Sequence, residues 1–206
     1  MSDSPELVVG EVRQRNRREL SIFGVTAFVI IGLDQLTKYW AQGYLLPRKL
    51  SGEGSIELLG GFLKFTYAEN TGAAFSMGTG ITWVFTVIAM AVVVVIFRYA
   101  RKLASLPWAL ALGAILGGSL GNLIDRMFRA PGPFQGFVVD FIQLPYWAIF
   151  NIADMAIVIS GIGIAILLLR GVPIDGKLPT PTTQNESDSS SVTTRSLKAL
   201  LGREST

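Results

Sequence analysis

Residues 149–169 read IFNIADMAIVISGIGIAILLL. As a helix this stretch reaches about 32 Å at 1.5 Å per residue, enough to cross the hydrocarbon core of a bilayer. Its one charged residue is Asp154. A carboxylate at membrane depth costs a few kcal/mol at least, which makes it a functional candidate by default. Just upstream, residues 138–148 read VVDFIQLPYWA and carry a second carboxylate, Asp140, flanked by Val138, Val139, Phe141 and Ile142. We expect the fold to bring the two acids together so that they activate water.

Outward from this stretch, three further apolar runs suggest spans at about 20–40, 81–97 and 107–124, with the fourth at 149–169. Half of the 206 residues are hydrophobic and the mean hydropathy is +0.47, too apolar for an ordinary soluble domain. The expected fold class is an all-α membrane protein, a four-transmembrane-helix bundle. Residues 1–170 would form the membrane domain and 171–206 a disordered polar cytoplasmic tail, with SLKALLGR at 196–203 able to form a brief helix. A basic flank, a short apolar run and Ala41-Gln42-Gly43 mimic a cleaved signal peptide, but Asp34 and Lys38 interrupt that pattern.

Pro107 suits the first turn of the third helix. Gly113, Gly117 and Gly121 recur on one face of it, where small residues let helices approach closely. Phe62 to Tyr67 alternates, with Leu63, Phe65 and Tyr67 on one side, and predicts a short strand of a small surface sheet. Residues 128–146 hold three prolines and two glycines and predict a loop with a short helix.

The chain has neither cysteine nor histidine. That removes disulfides, thiol nucleophiles, imidazole bases and the usual zinc ligand sets. Acid–base chemistry falls to Asp, Glu, Lys or Tyr. The net charge of +3 does not point to nucleic acid, because the basic residues lie mostly beside apolar runs and report orientation. Arg13, Arg15, Arg17 and Arg18 precede the first run; Arg98, Arg101 and Lys102 follow the second; Arg170 follows the fourth. Both termini are therefore expected in the cytoplasm. Arg48, Lys49 and Lys64 weaken the asymmetry on the other side.

With that topology, Asp34 and Lys38, Asn122, Asp125 and Arg126, Asn151 and Asp154, and Asn70 of the 42–80 loop all fall near the outer leaflet. Asp34 with Lys38 and Asn122 with Arg126 are spaced i,i+4, and Asn151 with Asp154 i,i+3, so each pair shares a helix face. Asp154 is expected about one and a half turns, roughly 8 Å, inside its helix. Structural roles compete at several of these positions: an Asp34–Lys38 ion pair, interhelical hydrogen bonding by Asn122 and Asn151, and an interfacial Arg126 merely oriented by Asp125.

Two close carboxylates cannot easily both ionise, so they share one proton. The ionised member can take a proton from water while the protonated one polarises a peptide carbonyl, with no metal, cofactor or covalent intermediate. Other readings are a Ser–Lys dyad of Lys38 with Ser76 or Ser119, and a small transporter or channel that uses the intramembrane Asp, Asn and Lys cluster. Gly117-Gly-Ser-Leu-Gly121 also matches G-x-S-x-G, but without a histidine partner.

Five stretches in order resemble the bacterial lipoprotein signal peptidase (signal peptidase II) family: Asp34-Gln-Leu-Thr-Lys38, Asn70-Thr-Gly-Ala-Ala-Phe-Ser76, Gly117-Gly-Ser-Leu-Gly-Asn-Leu-Ile-Asp-Arg126, Val138-Val-Asp-Phe141 and Phe150-Asn-Ile-Ala-Asp154. The resemblance implies a catalytic pair at Asp140 and Asp154. It implies substrate-binding or site-supporting roles for Asp34, Lys38, Asn70, Gly72, Asn122, Asp125, Arg126, Asn151 and Ala153, and a small extracytoplasmic β-sheet. It further implies an aspartic endopeptidase of the bacterial cytoplasmic membrane, acting near the outer leaflet. Its partners would be diacylglyceryl-modified prolipoproteins, cleaved amino-terminal to the lipidated cysteine, and membrane lipid; a monomer is expected.

Overall fold

The computed structural model describes residues 5–72 and 82–176, with side chains from residue 16 onward. The side chains of Arg13 and Arg15, residues 73–76 of the Asn70–Ser76 motif and the segment beyond 176 lie outside the described residues.

Four helices are long and apolar enough to cross a membrane, and they form the bundle. Helix α1 runs Pro5–Trp40 and passes through a π-helical turn, Ala41–Leu45, into a short α2, Leu46–Leu50. The apolar segment through these pieces covers Asn16–Leu50, longer than the 20–40 expected. Pro47 is the second residue of α2, in the first turn that proline's fixed φ suits. Helix α3 covers Thr82–Ala100 and α4 Leu106–Phe128. Helix α4 continues four residues past the expected end at 124 because Asp125 and Arg126 are buried and partnered, so polarity does not stop it. Helix α5 is Ile152–Leu169, not 149–169. Its start is fixed by Asn151 as N-cap, and Phe150 is extended and bridges to Ile142.

The small sheet is present. Strand β1 is Ile56–Leu58, β2 Leu63–Asn70 and β3 Val138–Gln143, in the order β1-β2-β3, all antiparallel. The helix expected within 128–146 is absent, and β3 stands in its place. The β-branched and aromatic run VVDFI outweighs the turn residues around it. In the β2–β3 register Ala68 pairs with Asp140 and Asn70 with Val138. The sheet sits on the end of α1 through a core of Ala41, Leu45, Tyr67, Val139, Phe141 and Ile142, with Leu63 and Phe65 packed against it as the alternation predicts.

Helix α4 is the centre of the bundle, packed on α1, α3 and α5. The glycine ridge makes this possible. A Cβ at Gly113 would stand 2.6 Å from Phe23 O, and one at Gly117 would stand 2.7 Å from Ala27 O. On the other side of α4, a Cβ at Gly118 would meet Ala153 O at 2.5 Å. At the opposite end from the sheet, Phe23, Leu103, Trp108 and Leu112 form a second core. Residues 171–176 belong to this packed unit and not to a tail beginning at 171: Trp108 Nε1 donates to Val172 O, and Ala104 N donates to Ile174 O.

Candidate active site

The sheet delivers Asp140, and the start of α5 delivers Asp154. Asp140 lies in the middle of β3 and is 2 % exposed. Its two oxygens are each met by an amide: Asn70 Nδ2 donates to Oδ2 at 2.9 Å and Asn151 Nδ2 donates to Oδ1 at 2.6 Å. Burial, and then the nearby Asp154, raise its pKa to about 6 against those donors.

Asp154 is not one and a half turns inside its helix. It is the third residue of α5 and forms a reciprocal capping box with Asn151. The Asp154 N–H donates to Asn151 Oδ1 at 3.0 Å, and the Asn151 N–H donates to Asp154 Oδ2 at 3.2 Å. The other oxygen, Oδ1, accepts from Asn122 Nδ2 at 2.8 Å. A carboxylate in the first turn of a helix is also favoured by the helix dipole. Asn151 thus contacts both acids.

Beneath the acids lies a buried ionic cluster. Lys38 Nζ is 2.7 Å from Asp34 Oδ2, 2.9 Å from Asp125 Oδ2 and 2.9 Å from Asn122 Oδ1. Three donors therefore meet three acceptors in a site closed to water. Asp125 also accepts from Arg129 Nε at 2.8 Å and from the Val139 N–H at 3.2 Å. It anchors β3 beside Asp140 and is not the interfacial partner of Arg126 that its sequence position suggested. Arg126 is itself buried, donating to the carbonyls of Asn70 and Gly136. Asp34 Oδ1 accepts from the Ala153 N–H at 3.0 Å, tying α1 to the start of α5.

Gly72 holds Asn70 in place: its N–H donates to Asn70 Oδ1, its φ is +83°, and a Cβ there would lie 2.7 Å from the Phe85 ring. All eleven residues singled out from the sequence therefore join one network. Two members had been passed over. Gln35 Nε2 donates to Asp34 and to Gly121 O, and Arg129 pairs with Asp125. The i,i+4 spacing of Asp125 and Arg129 was a readable signal. Gln35 lies within the Asp34–Lys38 stretch already singled out, next to Asp34, and that adjacency was its readable signal.

Asp154, Asn70, Asn122 and Arg126 line a cavity of about 280 Å³ whose remaining wall is largely apolar, including Phe85, Ile88, Val92, Ile115 and Ile157. Of the two acids, Asp154 stands on this wall, while Asp140 lies behind Asn70 and Asn151, which hold its oxygens. Other bases are poorly placed. Lys38 is consumed by its three acceptors, and Tyr67 donates to Glu69 with its pKa pushed up to about 12 by burial and that neighbour.

The family model described as Signal peptidase (SPase) II matches residues 26–170, a range that encloses the network. The chain belongs to the signal peptidase II family. Among its relatives, a lipoprotein signal peptidase of Streptomyces coelicolor is 51% identical over 80% of this chain and 78% of its own length. One of Streptomyces griseus is 55% identical over 79% and 80%, and one of Mycobacterium leprae 46% identical over 77% and 76%. A solved structure titled as a bacterial membrane enzyme superposes with a TM-score of 0.60 at 30% identity, covering 71% of this chain and 91% of that one. This member of the family is a multi-pass membrane protein with a small three-stranded sheet. Membership of a peptidase family does not favour the transporter reading.

Proposed function

We propose that this chain is an aspartic endopeptidase that removes the signal peptide from diacylglyceryl-modified prolipoproteins, cutting amino-terminal to the lipidated cysteine. Asp140 and Asp154 are its catalytic pair. The observation that carries this reading is the contact of Asn151 with both carboxylates beside the cavity. Family membership, and the relatives' printed name of lipoprotein signal peptidase, support the substrate class.

The pair holds one proton between its members. The ionised acid takes a proton from water as that water attacks the scissile carbonyl, while the protonated acid hydrogen-bonds the carbonyl oxygen. In collapse of the tetrahedral adduct the C–N bond breaks and the departing nitrogen receives a proton from the pair. The value near 6 for Asp140 supports a proton held well above the ordinary carboxylate range. Because the Asp154 charge bears on Asp140, we assign the proton to the pair and to neither acid alone. Both termini lie in the cytoplasm and the acids near the outer leaflet, so the acyl chains stay in the bilayer and contribute binding energy remote from the bond.

The test is purified protein in detergent with a diacylglyceryl-modified prolipoprotein peptide, read by mass. Wild type should cleave at the bond before the cysteine. Asp140→Asn and Asp154→Asn should each lose about 10²-fold or more in rate with the fold retained. Cleavage surviving both substitutions refutes the mechanism; absence of cleavage by folded wild type refutes the substrate class.

A further inference from the structure

We propose that two adjoining loops at the far end of the sheet, 59–62 and 144–147, are inserted into the bilayer and hold the sheet against it. Lys64 pairs with Gln143 across β2 and β3, which makes the β1–β2 turn and the segment after β3 neighbours. They wall a cleft of about 430 Å³ that includes Gly61, Lys64, Tyr146 and Trp147. Both loops leave large apolar side chains uncovered: Leu59 is 78 % exposed, Phe62 59 %, Trp147 68 %, and Tyr146 fully. Leu59 and Tyr146 also take φ values of 53° and 59°, which residues with a Cβ rarely adopt. Among the described residues nothing covers these apolar side chains in the two adjacent loops, and an exposed apolar patch of this kind marks an interaction site.

The depth of the second loop identifies the occupant. Leu144 and Trp147 share a further cleft, about 310 Å³, with Asp154, Met155, Val158 and Ile159 of α5. Val158 lies six residues beyond the start of α5, about 9 Å along its axis. Val158 and Ile159 are exposed on a helix apolar enough to cross the membrane, so lipid covers them. A loop that reaches down to their level stands in lipid, not in water. Trp and Tyr favour that boundary, and Lys64, paired with Glu57, stays at the headgroups. The patch is thus continuous with the lipid-facing wall of α5. The same cleft leads from the inserted loop to Asp154. On the function proposed above, an acyl chain of the substrate would follow it; insertion itself does not depend on that function.

The chain has no cysteine, so Leu59→Cys, Trp147→Cys and Glu53→Cys can each carry a single nitroxide label on the full-length protein in phosphatidylcholine vesicles. The ratio of oxygen to water-soluble nickel-chelate collisions should be several-fold higher at positions 59 and 147 than at 53. Equal ratios at all three overturn the proposal. Unlabelled protein gives an independent reading. In vesicles of bromine-tailed lipid, the quenched part of the tryptophan emission should shrink on Trp147→Phe, and an unchanged quenched part overturns insertion of the second loop. Neither readout involves cleavage, so failure here is distinct from failure of the catalytic reading.

Discussion

The side-chain amide of Asn151 donates to Asp140 Oδ1 at 2.6 Å. The same residue caps α5 and holds Asp154 through its backbone. One asparagine therefore fixes the separation of two acids that come from a strand and a helix, and it does so only while α5 begins at Ile152.

The two tasks of Asn151 can be separated. Serine keeps an N-cap acceptor but has no amide donor for Asp140. Asn151→Ser should lower kcat by roughly tenfold to a hundredfold, the equivalent of about 1.5–3 kcal/mol for a hydrogen bond to a charged group, with little change in thermal midpoint. Asn151→Ala should lose the same activity and a further ~1 kcal/mol of stability from the cap. Full activity in the serine variant would remove Asn151 from the catalytic arrangement.

The titration of Asp140 has a definite sign. Burial and Asp154 lift its pKa from 3.8 to about 6, so the folded chain holds a proton that the unfolded chain releases between those values. Stability contributed by this group falls as pH rises through that window and is level above it. Because the proposed pair needs one proton, kcat/KM should fall above about pH 6, by roughly tenfold per unit. Asp154→Asn removes a neighbouring negative charge and should move the Asp140 titration downward. Infrared titration of the carboxyl band, with Asp140→Asn as the subtraction, reads this directly, and no downward movement would mean that the acids do not couple.

Close approach of α1 and α4 predicts which glycines matter. A Cβ at Gly117 would sit 2.7 Å from Ala27 O and from Ile30 Cβ, whereas Gly24 and Gly32 have nothing within 4 Å. Gly117→Ala should destabilise by about 1–3 kcal/mol through forced separation of the helices. Gly24→Ala and Gly32→Ala should be neutral or stabilising by up to about 1 kcal/mol. Thermal unfolding in detergent distinguishes these outcomes, and an equal effect at all three positions would argue against tight packing.

Lys38 neutralises two buried acids. Lys38→Met should cost about 3–5 kcal/mol, because Asp34 and Asp125 would remain desolvated without their shared cation. Adding Asp34→Asn should recover part of that loss. If the double variant is as unstable as the sum of the two single changes, the three residues do not act as a unit.

Much of the site was legible because its residues are spaced for one helix face. Asp34 with Lys38 and Asn151 with Asp154 meet as their spacing requires. Asp125 was misread because neighbours in sequence point to different faces: Arg126 reaches the Asn70 and Gly136 carbonyls, while Asp125 turns to Lys38 and Arg129. Strand β3 was missed because turn residues surround it, and its partner β2 lies some seventy residues earlier in the chain.

The sequence by itself determined four apolar runs, a glycine ridge and the placement of polar residues at one end of the bundle, since hydrophobic periodicity is a local property. Only the tertiary structure decided that α5 starts at Ile152, that Asp154 is a capping residue, and that Lys38 serves Asp34, Asp125 and Asn122 together. Those choices depend on which faces the glycines allow into contact, and a buried charge takes whichever partner that packing brings within hydrogen-bonding distance.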